Sequence, residues 1–359
     1  MESEEILITS LQSPYIEQTK TLMMRCFEQS LHSIFFLNPD TTLIALQGET
    51  VVAGLNMDVY QVNARVKMGY LGWLYTDPAL RGRGLAGRLL SQALTFLMQL
   101  GCTDVAACVE GDNPASFKQL ESRGFSPLSL SSQLLRFRFG TLHVYRHASR
   151  FFDMGYFLWH KRLDGSRNPP FPTNMQAFLS TLFANTLLAS LLVFNLNLPA
   201  LLKIHLPWIP AKPSFLLWAV PCISLSVRNA ASFLAGKRMH AKLVYKGWDT
   251  AYITGLLVPL LFALPFPVPG NLYLAGSDWK LSEQEGVLTN MALASLSALA
   301  LLFLFLPTPY TLLLILLDGL FFFYPFCGFN ASRLRRGSRS VRLFSALVVL
   351  AACASLLVY

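Results

Sequence analysis

Asp77-Pro-Ala-Leu-Arg81-Gly82-Arg83-Gly84-Leu85-Ala86-Gly87-Arg88 is the stretch that decides the fold. Before it, Val66 to Tyr75 reads as a strand that Pro78 closes. After it, Leu85, Leu89, Leu90, Ala93, Leu94 and Leu97 recur at helical spacing until Gly101. Glycines at a strand-to-helix junction let the chain turn tightly and leave amide N–H groups unpaired. The positive end of the helix adds to them, so the turn can cradle a pyrophosphate. Arg81, Arg83 and Arg88 bring further positive charge. A plain helix start with solubilising arginines is the blander reading of the same residues. The Lys-Ser/Thr ending of a nucleotide P-loop is absent, and several strands precede the turn, unlike a dinucleotide fingerprint.

Upstream, Glu5 to Thr9 is a strand, and Ser13-Pro14 opens a helix towards Leu31. Thr42–Leu46 and Val51–Val59 flank the turn Gln47-Gly-Glu-Thr50 as a hairpin. Downstream, Asp104 to Val109 is a strand, and Asn113-Pro114 starts a helix that ends before Gly124. Phe125 to Phe139 is expected to supply the last strands. The order predicts an α/β domain built on one mixed sheet.

Arg81-Gly-Arg-Gly84-Leu-Ala86 resembles the coenzyme A pyrophosphate motif of the GNAT family of N-acetyltransferases. Asn113-Pro-Ala-Ser-Phe117-Lys-Gln-Leu120-Glu-Ser-Arg-Gly124-Phe125 is similar to that family's second signature. The resemblance covers residues 1–145 and implies a GNAT fold. It implies acetyl-coenzyme A as donor, lying between the parallel strands Tyr70–Tyr75 and Val105–Val109. It assigns donor binding to Leu74, Tyr75, Thr76, Arg81, Gly82, Arg83, Gly84, Leu85, Ala86, Gly87, Asn113 and Phe117. Backbone groups near Leu74 to Thr76 would polarise the thioester carbonyl.

The family's second signature often carries a tyrosine as general acid where this chain has Leu120. Tyr75 and Tyr70 are the substitutes, with Cys108 the packing residue of the facing strand. Glu110, just past the second strand, is the candidate base for the acceptor amine. Its blander role is to cap the Asp112-Asn113 turn. His143 and His147 read as linker residues.

The remainder differs in kind. Hydrophobic residues make up 53% of the 359 and charged residues only 14%, where a soluble protein has about a quarter charged. The charge is concentrated before Asn168. Residues 146–170, basic and aromatic, read as an amphipathic linker on a membrane surface. Residues 171–359 read as an all-α polytopic membrane domain of about five or six spans. These are Phe171–Leu202, Pro213–Gly236, Gly286–Leu306, Tyr310–Phe329 and Leu343–Tyr359, with 250–277 broken by prolines and re-entrant. The net charge of +9 falls beside apolar spans, at Lys237-Arg238 and Arg333 to Arg342. That pattern excludes nucleic acid as the expected partner and keeps the N-terminal domain in the cytoplasm. MESEEIL has no apolar run behind it, so no secretory signal is expected.

A fainter resemblance joins Ser226–Trp248, Pro267–Gly276 and Lys280–Asn290 to membrane metalloproteases of the site-2 (M50-like) type. Val227-Arg-Asn-Ala-Ala231 stands where those have His-Glu-x-x-His, so the resemblance implies a zinc-less scaffold. The six cysteines form no CxxC pair, and no metal site is expected. Arg228, Asn229, Asn290 and Asp318 are polar residues in apolar surroundings, hence candidates for acceptor binding. Hydrogen bonding that holds the bundle together is their structural alternative.

Together these readings describe a membrane-bound N-acetyltransferase acting on an amine acceptor at the cytoplasmic face. That acceptor is lipid-linked, amphipathic or part of a membrane protein. The alternative is an acetyl-coenzyme A sensor with little turnover.

Overall fold

The computed structural model describes residues 5–151, 153–204, 216–321, 324 and 328–355. They form two compact units. The first comprises Met1–Val109, Ala115–Ser149 and Phe157–Phe171. The second comprises Glu110–Pro114, Arg150–Tyr156 and Pro172–Tyr359.

The first unit is a seven-stranded sheet. Its strands are β1 (Ile6–Ser10), β2 (Leu43–Gln47), β3 (Thr50–Asn63), β4 (Val66–Thr76), β5 (Asp104–Glu110), β6 (Ser126–Pro127) and β7 (Tyr156–Arg162), in the order β1-β2-β3-β4-β5-β7-β6. β1 to β4 are antiparallel neighbours, whereas β4 and β5 run parallel. Helix α1 (Ile16–Cys26) packs Leu22 and Met23 against Ile44, Val51 and Tyr75. Helix α2 (Leu85–Gln99) connects β4 to β5 and buries Leu85, Leu89, Leu90, Ala93 and Leu97, one stripe at helical spacing. Helix α3 (Pro114–Glu121) follows β5, then α4 (Leu130–Phe137) and α5 (Gly140–His147). Phe137 and Val144 cover Tyr60, Met68, Tyr70 and Leu158.

Three expectations fail here. The segment Phe125–Phe139 holds only the two-residue β6 and then α4, which Ser129 caps by accepting from the Ser132 amide. The membrane-surface linker at 146–170 is not one, because its middle is β7. Phe157, Leu158, Trp159 and His160 are all buried, and β7 pairs with β6 through Ser126–His160 and Pro127–Trp159. A strand covered on both faces shows no polar alternation, so its aromatic residues read as interfacial. His143 and His147 lie on α5: His147 Nδ1 meets Asp58 Oδ2 at 2.8 Å and its ring stacks on Tyr60.

The second unit is mainly helical. Its elements are α6 (Asn174–Val193), α7 (Leu198–Leu201), α8 (Leu216–Arg238), β8 (Leu243–Gly247), α9 (Ala251–Phe262), β9 (Gly270–Leu274), α10 (Leu281–Phe305), α11 (Pro309–Leu320), α12 (Asn330–Arg335) and α13 (Arg339–Ser355). Leu225, Leu296, Leu299, Phe303, Leu314, Ile315 and Val349 form its core. Thr173 and Gln176 close a capping box at the start of α6.

Among the described residues, two helical stretches are long and apolar enough to cross a membrane, Asn174–Leu201 and Leu281–Phe305, with mean hydropathy 1.9 and 2.0. Helices α9 and α11 have 12 residues each, so they reach about 18 Å against the roughly 30 Å of a bilayer core. Tyr310–Phe329 is therefore not one continuous helix, and parts of it lie outside the described residues. So do the ends of Pro213–Gly236 and Leu343–Tyr359. Strand β9 is not helical at all, because it pairs with β8 from Leu243–Leu274 to Gly247–Gly270. Before it, Asn185 bonds both backbone groups of Val268, at 2.7 and 3.0 Å. A buried side chain thereby satisfies irregular backbone among apolar helices.

Candidate functional site

In the first unit, β4 and β5 pair only from Met68–Asp104 to Leu71–Ala107. Both strands continue beyond, to Thr76 and Glu110, without pairing each other. The cause is local. Met57 faces Leu71 and Asn56 faces Trp73, so Gly72 is a bulge residue in β4. A bulge bends its strand and re-aims the residues beyond it. A Cβ at Gly72 would overlap the ring of Phe36, which would have to move aside. After the bulge, Trp73 and Tyr75 belong to the core under α1, whereas Met68 and Tyr70 belong to the core under α4 and α5. The stretch Gly72–Thr76 thus keeps one backbone edge free of β5, beside partly exposed Leu74 and Thr76.

The glycine-rich turn comes directly after β4. Asp77 accepts from the Ala79 amide at 3.0 Å and pairs with Arg25. Arg81 donates from Nε to Thr76 O at 3.3 Å. Gly82 and Gly84 have φ of +81° and +76°, and a Cβ on either would meet nothing within 4 Å. Both glycines are thus there for conformation, in the left-handed region that other residues enter only with strain. Gly84 is the N-cap of α2 and no side chain caps it. The first amides of α2 are thus left for a ligand. Arg81, Gly82, Arg83 and Gly84 are exposed, Ala86 is partly exposed, and Leu85 and Gly87 are buried. An open groove lined by Ile6, Gly84, Gly87, Arg88, Gln119 and Arg123 adjoins this helix start.

Arg123 was not singled out by sequence. It donates from Nη2 to Gly87 O at 2.6 Å and from Nε to Ser91 Oγ at 3.2 Å, tying the end of α3 to α2. A side chain at residue 87 would meet Arg123 Nη2 at 2.7 Å. Phe117 is buried and its ring packs on Trp159 at 5.1 Å, so it anchors α3. Leu120 is buried as well.

Of the proposed acids, Tyr75 is a correction. Its hydroxyl donates to Asn56 Oδ1 at 3.0 Å inside the core, and burial holds it well above the usual tyrosine range. A phenol so placed is a poor proton donor. Tyr70 is 7% exposed and packs with Phe36, Ala106 and Leu128.

Glu110 and Asn113 fall in the second unit. The Asn113 amide donates to Glu110 O at 3.2 Å, closing the turn before α3. Asp112 forms a buried two-pronged pair with Arg333, Nε–Oδ2 2.7 Å and Nη2–Oδ1 2.9 Å. Arg333 Nη2 also donates to Leu272 O at 2.9 Å. Glu110 Oε1 stands 3.7 Å from Arg336 Nη2. Burial, then the Asp112 carboxylate, push Glu110 up to about 7, against the pull of Arg336 and Arg333. That places its titration where a general base is most useful.

The four polar residues proposed for the acceptor do not converge. Arg228 and Asp318 are one buried ion pair, Nε–Oδ2 2.7 Å and Nη2–Oδ1 2.9 Å. Arg228 Nη1 donates to Gly270 O at 2.8 Å, and Asn330 donates twice to Asp318. With every nitrogen of Arg228 used, the pair is structural. Asn229 donates to Leu225 O of its own helix, and Asn290 is exposed, near Met239 Sδ at 3.6 Å. No group of His, Cys, Asp and Glu among the described residues is arranged to hold a metal ion.

Two parallel strands that part beside an uncapped, glycine-rich helix start are the arrangement that the resemblance to acetyl-coenzyme A-dependent acetyltransferases predicts. Residues 5–125 match the model of the acetyltransferase (GNAT) family. This stretch is therefore an acetyl-coenzyme A-dependent GNAT acetyltransferase domain. No family match covers the helical unit, so its likeness to site-2 proteases has no support there. No curated protein matches the chain. Similar solved structures include the NatC complex bound to Gag peptide and coenzyme A, at 18% identity over 44% of this chain and 99% of that one, TM-score 0.33. Another is PaiA N-acetyltransferase from Thermoplasma acidophilum with coenzyme A, at 13% identity over 44% and 99%, TM-score 0.32. A third is N-acetylglutamate synthase from Neisseria gonorrhoeae, at 15% identity over 44% and 35%, TM-score 0.33.

Proposed function

We propose that the chain is a membrane-embedded N-acetyltransferase that moves acetyl from acetyl-coenzyme A directly to an amine at the cytoplasmic face. The parting of β4 and β5 after Leu71–Ala107 carries this reading. The pyrophosphate lies on the amides of Gly82 to Gly87, with Arg81 and Arg83 beside it. The pantetheine arm runs along the free edge of Gly72–Thr76. The amine nitrogen attacks the thioester carbonyl carbon, the C–N bond forms and the C–S bond breaks. Backbone N–H groups near Leu74 to Thr76 stabilise the negative oxygen. Glu110 takes the amine proton, directly or through water, and the departing thiolate is reprotonated from water or from Glu110. Exposed Met175, Leu179, Phe183 and Leu187 on α6, and Leu301, Leu304 and Phe305 on α10, support a lipid-facing second unit.

Rapid mixing of the acetyl-coenzyme A-loaded protein with an amine tests direct transfer. Acetylated amine should form in one turnover with no acetyl-protein before it; an acetyl-protein that forms first would refute the mechanism. Leu120 favours a second reading, a sensor that binds acetyl-coenzyme A with little turnover, since buried leucine gives no proton.

A further inference from the structure

Arg333 and Arg336 stand three residues apart at the end of α12, which brings their side chains to one side. The Arg333 side chain is 1% exposed. Its Nε and Nη2 are used on Asp112 and Leu272, yet its buried Nη1 has no hydrogen-bond partner among the described residues. Arg336 Nη1 is likewise buried without one. Its Nη2 lies 3.7 Å from Glu110, beyond hydrogen-bond reach. Buried N–H groups left open are costly unless something accepts from them. These residues all belong to the second unit. Asp112 answers Arg333, and Glu110 faces Arg336 without a hydrogen bond to it.

We propose that the open guanidinium edges of Arg333 and Arg336 bind the anionic group, a phosphate or carboxylate, of the amine acceptor. Planar N–H pairs match the oxygens of either anion. Glu110 beside Arg336 puts the amine-binding carboxylate next to the anion-binding guanidinium. The acceptor is therefore zwitterionic, with its amine and its anion a few bonds apart. A phospholipid headgroup and a soluble phosphorylated amine share that chemistry. The inference rests on the acetyl-transfer reading for the amine but not for the anion.

The test uses full-length protein in phosphatidylcholine nanodiscs, with ethanolamine, glycine and phosphoethanolamine as acceptors. A parallel set contains phosphatidylethanolamine. The value of kcat/KM for phosphoethanolamine or glycine should exceed that for ethanolamine at least tenfold, and Arg336→Gln should bring the ratio near one. Without acetyl-coenzyme A, phosphoethanolamine should raise the unfolding midpoint of the wild type but not of Arg336→Gln. Acetylated lipid in the parallel set assigns the anion to a headgroup; acetylated soluble amine alone assigns it to a free metabolite. Equal kcat/KM for all acceptors, or no midpoint shift in the wild type, overturns the anion site. A midpoint shift lost in Arg336→Gln, with no turnover of any acceptor, keeps the anion site and removes the acetyl-transfer reading instead.

Discussion

Leu71 of β4 and Ala107 of β5 are the last residues to pair between two parallel strands that both run on. The bulge at Gly72 sits directly after that pair, so a single glycine sets where the gap begins.

Gly72→Ala should destabilise the domain by about 1–3 kcal/mol, since the new methyl must displace Phe36. Acetyl-coenzyme A affinity should fall with it, because the strand edge shifts. Thermal unfolding and isothermal titration on the same variant check both.

Gly84→Ala is different, because its Cβ meets open space. The cost is backbone conformation alone, about 1 kcal/mol. Acetyl-coenzyme A affinity should fall about five- to tenfold with no new clash. Titration calorimetry reads this directly.

With Glu110 as the proposed base, its titration is expected to set the pH profile. A base must be unprotonated to accept, so kcat/KM should climb with pH and level off above about 7. Glu110→Gln should cost about 10²–10⁴-fold and remove that rising limb. An unchanged rise in the variant would assign the base elsewhere.

Tyr75→Phe separates packing from catalysis. The loss of its hydrogen bond leaves Asn56 Oδ1 without the Tyr75 donor, costing about 1–2 kcal/mol of stability. The turnover number should change less than twofold. A drop of a hundredfold would restore Tyr75 as the acid.

Arg228→Ala should lose about 3–5 kcal/mol by stranding the Asp318 carboxylate in the core. Arg228→Met with Asp318→Leu should recover most of it. Acceptor KM in the double variant should match the wild type, as expected of a pair that binds no substrate.

The strand–turn–helix around Arg81 to Arg88 was legible because its glycines, arginines and helical leucines are contiguous. Glycine inside a strand, as at Gly72, is the one sequence signal that could have shown the bulge. Strand β7 was hidden because burial on both faces erases alternation, and Trp159 between basic residues imitates an interfacial anchor. Tyr75 looked available because alternation alone does not show that a bulge changes which core a residue joins. The pair Asp112–Arg333 joins residues 221 apart in sequence; no local pattern marks either as a partner. The intact apolar runs of α6 and α10 were read correctly as long helices. The run Tyr310–Phe329 was not, because α11 stops at Leu320 and hydropathy does not report where a helix stops.

Amine-dependent release of coenzyme A from acetyl-coenzyme A tests the central claim most directly. The full-length protein in nanodiscs would be compared with an Arg81→Ala, Gly84→Val double variant. The account predicts steady release with amine present, little without it, and loss of both release and acetyl-coenzyme A binding in the variant. Tight binding that the variant abolishes, with no release for any amine, would contradict it and leave a sensor in place of an enzyme.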